Sequence, residues 1–388
     1  MKIIMDLMIQ KASLNDVEEL LGLYVSVYGS DYPLLIGTNK EVMQAALRDP
    51  HKFLWLVMRD QERSIIAGSC IIEIDHDYKI GKVTGVAVSS NYRNKSIAKR
   101  LIEFAVDIVL REKRSVHSLY ATSRTVSMGS QVMLLENNFI PLGIFPNARK
   151  IKSYETLTLV GRFAEGVLER RARVQKIPES IAPLYKICNE VTGSKWFPEI
   201  VEACPVAEYI QSEFDDENFE FIFAPKFVER RFNEVFDNDK ESTFYPFHHP
   251  NLIISGCKSD FEIYASFSKK DHYCVWITSN RTLRELANKM KRLIFALKEI
   301  GIYYIEVLVR SDYFETICYL TENRFLPSAI YPAMREEEGA MHDYILLTRT
   351  MVPLDFSDTQ IHSAFKPYIN QYAKQWLSMN LNIVEGIQ

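Results

Sequence analysis

Arg93 and Lys95 stand in a short polar loop that follows an apolar run ending at Val88 and precedes a helical pattern opening at Ser96, in the stretch VAVSSNYRNKSIAKRLIEFAV (86–106). Two cations beside the first turn of a helix are the layout of an anion site. The first N–H groups of a helix have no partner within it, and the macrodipole adds positive potential there. The amides of Asn94, Lys95, Ser96, Ile97 and Ala98, with the Arg93 guanidinium and Lys99 nearby, are therefore placed to receive a phosphate. Loops of this kind usually contain glycine, which lets the backbone approach the anion, and this one has none. Serine at position 96 is acceptable if its φ stays negative, and its hydroxyl can then cap the helix.

The elements that must hold this loop are legible along the chain. Ser13 precedes the helical pattern LNDVEELLGLYVSVYG, and Asn39 to Asp49 forms a second helix stopped by Pro50. Strands follow at 53–58, 64–74 and 82–89, with Asp75-His76-Asp77 as a turn between the last two. The helix from Ser96 is expected to bury Ile97, Leu101, Phe104, Ala105 and Ile108 as one face. A strand at 119–125, the helix MGSQVMLLENN and a strand at 155–163 complete the set. The charge run ERRARVQK reads as a solvated helix face, and Pro178 and Pro183 punctuate a connector. Strand and helix signals resume after about residue 205 and end with YILLTRT (344–350). A final helix over 357–378 carries an apolar stripe through Ile361, Phe365, Tyr368, Tyr372 and Trp376. The stripe predicts packing on its own chain, with a homodimer through this C-terminal helix as the alternative.

The chain repeats itself. LLENNFIPLGIFPNAR (134–149) aligns without gaps to LTENRFLPSAIYPAMR (320–335), an offset of 186, with eight of sixteen positions identical. The same offset pairs Arg124 with Arg310, and one added residue pairs Arg162 with Arg349. The expected organisation is two copies of one α/β unit at 1–165 and 205–352, a connector at 166–204, and a C-terminal helix within 353–388. The second copy passes from YCVWITS to its helix through Asn280-Arg281-Thr282 alone, without the basic loop. A phosphate-bearing cofactor therefore belongs to the first copy.

Bulk properties narrow the classes. The 388 residues, 47% hydrophobic and with a net charge of −4, suit two soluble cores and not a nucleic-acid or membrane attractor. The six cysteines form no C-x-x-C, and adjacent His248 and His249 lack metal-pair spacing, so buried thiols and no metal site are expected. Asp6 interrupts the apolar start, and no run approaches the length of a membrane span, which points to the cytoplasm.

The order of elements over 1–163 and the run Arg93-Asn94-Lys95-Ser96-Ile97-Ala98, preceded by Tyr92, resemble the GNAT N-acetyltransferase superfamily, whose signature is Arg/Gln-x-x-Gly-x-Gly/Ala at the start of a long helix. The resemblance covers the first half, and the repeat carries it, degenerate, into the second. It implies a mixed, mainly antiparallel sheet flanked by helices in each unit, splayed between the fourth and fifth strands. The pantetheine arm of acetyl-CoA, or of another acyl-CoA, would pair there with the backbone of Val86 and Val88. The diphosphate would sit on residues 94–98. The implied reaction is acyl transfer to the amine of a small molecule.

The family's usual glutamate base falls at Lys82 and its usual tyrosine acid at Leu134. Glu73 is the substitute base, and Tyr120 and Ser123 are substitute donors to the thiolate. Their plain alternatives are a solvent-facing glutamate and the outward face of a strand. Water with proximity alone is a further route. Tyr32, in the loop after the first helix, and Tyr245, Phe247 and His248, in the loop FYPFHHP, are the candidate walls of the acceptor pocket. Without a standard base and acid, the alternative reading is a non-catalytic acyl-CoA-binding regulatory or interaction protein on the same fold.

Overall fold

The computed structural model describes residues 6–29, 34–151, 153–202, 218–237, 239, 241–356 and 358–381, with the side chains of 287 and 288 set aside. The fold is mixed α/β with mostly antiparallel strands. It divides into two compact units, one of residues 1–122, 129–140 and 160–169, the other of 123–128, 141–159 and 170–388. No described helix is long and apolar enough to cross a membrane.

The first unit opens with β1 (Leu7–Lys11), α1 (Val17–Tyr28), α2 (Leu35–Thr38) and α3 (Lys40–Arg48). Ser13 sets the start of the first helical segment. Its amide and hydroxyl both donate to Asp16 Oδ2, at 2.7 and 2.9 Å. Asn39 caps α3 by accepting from the Val42 amide at 3.0 Å. Then come β2 (Phe53–Asp60), β3 (Ile65–Asp75), β4 (Ile80–Val88), α4 (Ile97–Val106), β5 (Ser118–Arg124) and α5 (Gly129–Glu136). β1 to β4 pair antiparallel in sequence order, and β5 lies parallel to β4.

One face of this sheet carries α1, whose Leu20, Leu23 and Tyr24 pack on Trp55, Val57 and Ile71. α4 packs on β3, and Gly68 is required there, because a Cβ would lie 2.6 Å from Ile97 Cγ2. Leu20, Tyr24 and Leu101 are fully buried, and each such side chain contributes about 1.5–3 kcal/mol. Helix propensity differs by less than ~1 kcal/mol per residue, so packing holds these helices in place.

The second unit takes up β6 (Ile140–Lys150) and β7 (Tyr154–Phe163), apart from their residues in the first unit. β8 (Lys176–Pro178), α6 (Ala182–Thr192), β9 (Glu199–Val201), β10 (Phe219–Ile222), α7 (Pro225–Phe236), β11 (Leu252–Gly256), β12 (Glu262–Ser268) and β13 (Tyr273–Ser279) follow. α8 (Met290–Glu299), β14 (Tyr304–Arg310), α9 (Phe314–Glu322), β15 (Leu326–Glu337), β16 (Ala340–Thr350) and α10 (Lys366–Asn380) complete it. β10 to β13 pair antiparallel in order, β14 is parallel to β13, and β16 runs antiparallel between β14 and β15. The run of three antiparallel pairings and one parallel pairing is that of β1 to β5.

The aligned residues do the same work at both places. Asn137 Nδ2 donates to Met133 O at 2.9 Å, and Asn323 Nδ2 donates to Tyr319 O at 2.8 Å. Arg162 donates to the Asn137 carbonyl, as Arg349 does to that of Asn323. Asn138 and Arg324, next in line, both turn left-handed at φ 58° and 64°. Arg124 and Arg310 are ion-paired, with Glu155 at 2.7 Å and with Asp312 and Glu337 at 2.7 Å.

Two expectations change. The charge run is not a solvated helix: only 168–170 is helical, as a 3₁₀ turn, and Arg171 is buried against Asp343, with Nε at 2.9 Å from Oδ1 and Nη2 at 2.5 Å from Oδ2. Tyr185 and the Ala333 amide also donate to that carboxylate, at 3.2 and 2.9 Å. A single inward arginine escapes a reading that counts charges. The C-terminal helix starts at Lys366, nine residues later than its pattern, because Pro367 favours the first turn. Its stripe packs within its own unit: Phe365, Tyr368 and Tyr372 are fully buried, and the Tyr368 hydroxyl donates to Pro141 O at 2.7 Å.

Candidate functional site

The basic loop is anchored from below. Ser89 N donates to Ala67 O at 3.0 Å, and a 3₁₀ turn over Ser90–Tyr92 drives the Tyr92 ring into the interior. The Tyr92 hydroxyl donates to Asp60 Oδ2 at 2.6 Å, and the same carboxylate accepts from the amides of Glu62 and Arg63 at 3.1 and 3.2 Å. The phenol's hydrogen bond, ahead of those amides, holds the Asp60 carboxyl below its ordinary pKa. Burial first, then Asp60, raises that of the Tyr92 phenol. The Lys95 ammonium lies over the Tyr92 ring, 4.8 Å from its centroid. Arg93, Asn94, Lys95 and Ser96 are all exposed.

Ser96 departs from its expected conformation. Its φ is 54°, in the left-handed region, and its side chain makes no cap. Asn94 is left-handed too, at 61°. The loop keeps the backbone shape that glycine would supply and fills it with asparagine, which tolerates that region, and serine, which does so less well. The first helical amide to find an intrahelical acceptor is that of Arg100, bonded to Ser96 O at 2.9 Å. The amides of Ile97, Ala98 and Lys99 precede it and have no partner within the helix. Ile97 is buried and pins this end of α4, while Lys99 reaches Glu136 at 3.2 Å. These amides and the exposed cations can receive an anion such as a diphosphate.

β4 leads into the loop and opens away from β5. The two pair from Ile80↔Ser118 to Val83↔Ala121, and the ladder stops there while β4 continues to Val88. Against β3, the register slips between Ile71↔Thr84 and Ser69↔Ala87, which is a β-bulge at Gly85 and Val86. Gly85 sits at φ 57°, and a Cβ there would lie 2.7 Å from Ile71 Cδ1 and 2.9 Å from the Tyr24 hydroxyl. Tyr24 and Tyr28, one turn apart on α1, donate to the carbonyls of Gly85 and Val86 respectively. Their rings stack at 6.4 Å with a 19° interplanar angle. Thus the Val86 carbonyl, read as a partner for the pantetheine arm, already accepts from Tyr28. Val88 closes the register opposite Gly68. Sequence reasoning missed the two tyrosines, although their spacing of four on a helix with an apolar face was a usable signal.

The candidate acid–base groups fall into different settings. Lys82 pairs in register with Glu73 on one side and Tyr120 on the other. Paired residues project to the same face, so Glu73, Lys82 and Tyr120 form one row across three strands. Glu73 is also 3.6 Å from the Lys52 ammonium. Tyr120 is buried, with Phe163 edge-on at 6.1 Å. Ser123 belongs to the second unit, where its hydroxyl shares a 2.7 Å hydrogen bond with Thr158. Leu134 is buried.

The second-unit candidates surround a different group. Tyr245 and Tyr273 donate to Glu306 Oε1 at 2.5 and 2.6 Å, and Tyr304 donates to Oε2 at 3.2 Å. Burial first, then the Glu306 carboxylate, push the Tyr245 phenol well above its ordinary pKa. His248 stands edge-on to Tyr245 at 4.7 Å, and Phe247 adopts a φ of 64°. Tyr32 lies outside the described residues.

Comparison with known proteins gives the following. A putative phosphinothricin N-acetyltransferase of solved structure is 19% identical and covers 41% of this chain and 99% of its own, with a TM-score of 0.36. The ribosomal-protein-S5-alanine acetyltransferase from Vibrio fischeri is 16% identical over 41% of this chain and 94% of its own, with a TM-score of 0.36. A variant of the spermidine N-acetyltransferase from Vibrio cholerae is 14% identical over 40% of this chain and 93% of its own, with a TM-score of 0.35. No curated protein matches the chain in sequence. Residues 17–131, which hold α1, the β4 bulge and the opening turn of α4, match the model of the Acetyltransferase (GNAT) family.

Proposed function

We propose that the first unit binds an acyl-CoA, acetyl-CoA foremost, and transfers the acyl group to the amine of a small molecule. The observation that carries this reading is the exposed, unpartnered start of α4 with Arg93 and Lys95 beside it, inside the segment that matches the acetyltransferase model. The amides at the start of α4 and the Arg93 guanidinium would hold the diphosphate, and the unpaired edge of β4 beyond Val83 would receive the pantetheine amides. The cofactor supplies an activated thioester; the chain supplies position, a polar edge and proton handling.

Glu73 is the proposed base, acting through water on the amine, and Tyr120 the proposed donor to the departing thiolate. The Lys52 ammonium lies 3.6 Å from Glu73 and Lys82 stands beside it in register, so an incoming amine would share this side chain with two cations. Positioning of the two reactants is therefore the larger part of the proposed catalysis. Ser123, tied to Thr158, is a weaker donor candidate than Tyr120. The second reading, a non-catalytic acyl-CoA-binding regulator, draws on Lys82 and buried Leu134 at the positions where the family resemblance implies base and acid.

We also propose that 205–352 is a degenerate second copy of the same fold. The matching order of strand pairings and the repeated Asn–Arg caps support this. Calorimetry with acetyl-CoA, followed by a thiol-release assay on a panel of small amines, tests the function. Binding with turnover supports the transferase, binding without turnover the regulator, and absence of binding refutes both.

A further inference from the structure

A cavity of about 280 Å³ in the second unit has an unbalanced lining. Lys298 from α8, Arg324 from the turn before β15 and Arg349 from β16 all line it, with Thr350, Tyr372 and Trp376 as neutral polar neighbours. No acidic side chain lines it among the described residues. A water occupies ~30 Å³ of liquid, so the space seats a diphosphate with several waters.

Arg349 is held in place by its bond to the Asn323 carbonyl, which uses one of its five N–H donors. Burial first, then repulsion from Arg324, push its guanidinium down to about 10. The aligned arginine of the first unit shows what is missing. Arg162 makes the same bond to a carbonyl and also feels the repulsion of another arginine, Arg111, but the carboxylates of Asp107 and Glu103 oppose it. At Arg349 no carboxylate does so, and among the described residues neither Lys298 nor Arg324 forms an ion pair. Three cations line the space with no carboxylate among its lining, and Arg324 acts on Arg349 directly; a bound anion would offset this charge, and phosphate oxygens suit guanidinium geometry best.

We infer that this cavity is a binding site for a small phosphate-bearing anion, held by Lys298, Arg324 and Arg349. The site is independent of the acyl-CoA reading and lies wholly within the second unit.

The test is calorimetric titration of the full chain with inorganic pyrophosphate. An Arg93→Glu background removes the anion loop of the first unit, so that failure of either site is seen separately. One pyrophosphate should bind per chain, at least tenfold more weakly after Arg324→Ala or Lys298→Ala and about 100-fold more weakly after both. Both side chains are exposed and unpaired, so the folded state should survive, with unchanged circular dichroism as the check. Arg349 is left intact because it caps α9. No binding in the Arg93→Glu chain, or equal binding before and after the double substitution, overturns the inference.

Discussion

Tyr24 donates its buried hydroxyl to the carbonyl of Gly85 and so fixes the β4 bulge to α1. The same oxygen lies 3.2 Å from Ser69 Oγ, whose hydroxyl can donate to it while accepting from Trp55 Nε1 at 2.8 Å. Tyr24→Phe keeps the ring and leaves the Gly85 carbonyl without this donor. The expected loss is about 1–3 kcal/mol of stability. Urea denaturation of the two proteins measures it, and equal midpoints would show that the bulge does not depend on this bond.

Ser96 is a strained, left-handed member of the loop proposed to hold the diphosphate. A left-handed non-glycine residue costs about 1–2 kcal/mol, less what glycine loses in chain entropy on folding. Ser96→Gly should therefore raise stability by about 0.5–1 kcal/mol and leave acetyl-CoA affinity equal or tighter. A large loss of affinity would mean that the serine hydroxyl is itself a ligand.

The Asp60–Tyr92 pair predicts a pH dependence of stability. The folded carboxyl titrates below its unfolded value of about 3.9. Its contribution is thus fully present above that pH and is lost as pH falls through the lower, folded value. Asp60→Asn should be less stable than the parent at pH 6, with the gap narrowing as the acid range is entered. Urea midpoints across that range check this, and a gap that stays constant down to the lowest pH would contradict it.

Arg171 and Asp343 form a buried ion pair in the second unit. Removing one partner of such a pair costs about 3–5 kcal/mol, because a buried charge is left behind. Arg171→Ala should lose stability on that scale, and Arg171→Met with Asp343→Leu should recover only part of it, because the Tyr185 hydroxyl and the Ala333 amide then lose their acceptor. Thermal unfolding of the three proteins decides the matter, and a harmless Arg171→Ala would mean that water reaches Asp343.

The strand and helix order of the first unit was legible because its signals are local: Ser13 and Asn39 at helix starts, turn residues at 75–77, and alternation in β2 to β5. The repeat was legible because Asn137, Asn323, Arg162 and Arg349 are held by the same caps. The inward turn of Arg171 was not, since its partner is 172 residues away. The conformation of Ser96 was not, because serine populates both signs of φ only under tertiary constraint, here the buried Tyr92 on one side and buried Ile97 on the other. Nor was the bulge at Gly85, which in sequence is one small residue in an otherwise regular strand.

The opening turn of α4 is the proposed diphosphate site, and calorimetry of acetyl-CoA with the parent protein and Arg93→Ala tests it most directly. One acetyl-CoA should bind, and loss of the charge-assisted contact should weaken it by about 1.5–3 kcal/mol, roughly 10- to 100-fold. A parent that does not bind acetyl-CoA, or a variant that binds it as tightly as the parent, would contradict the account.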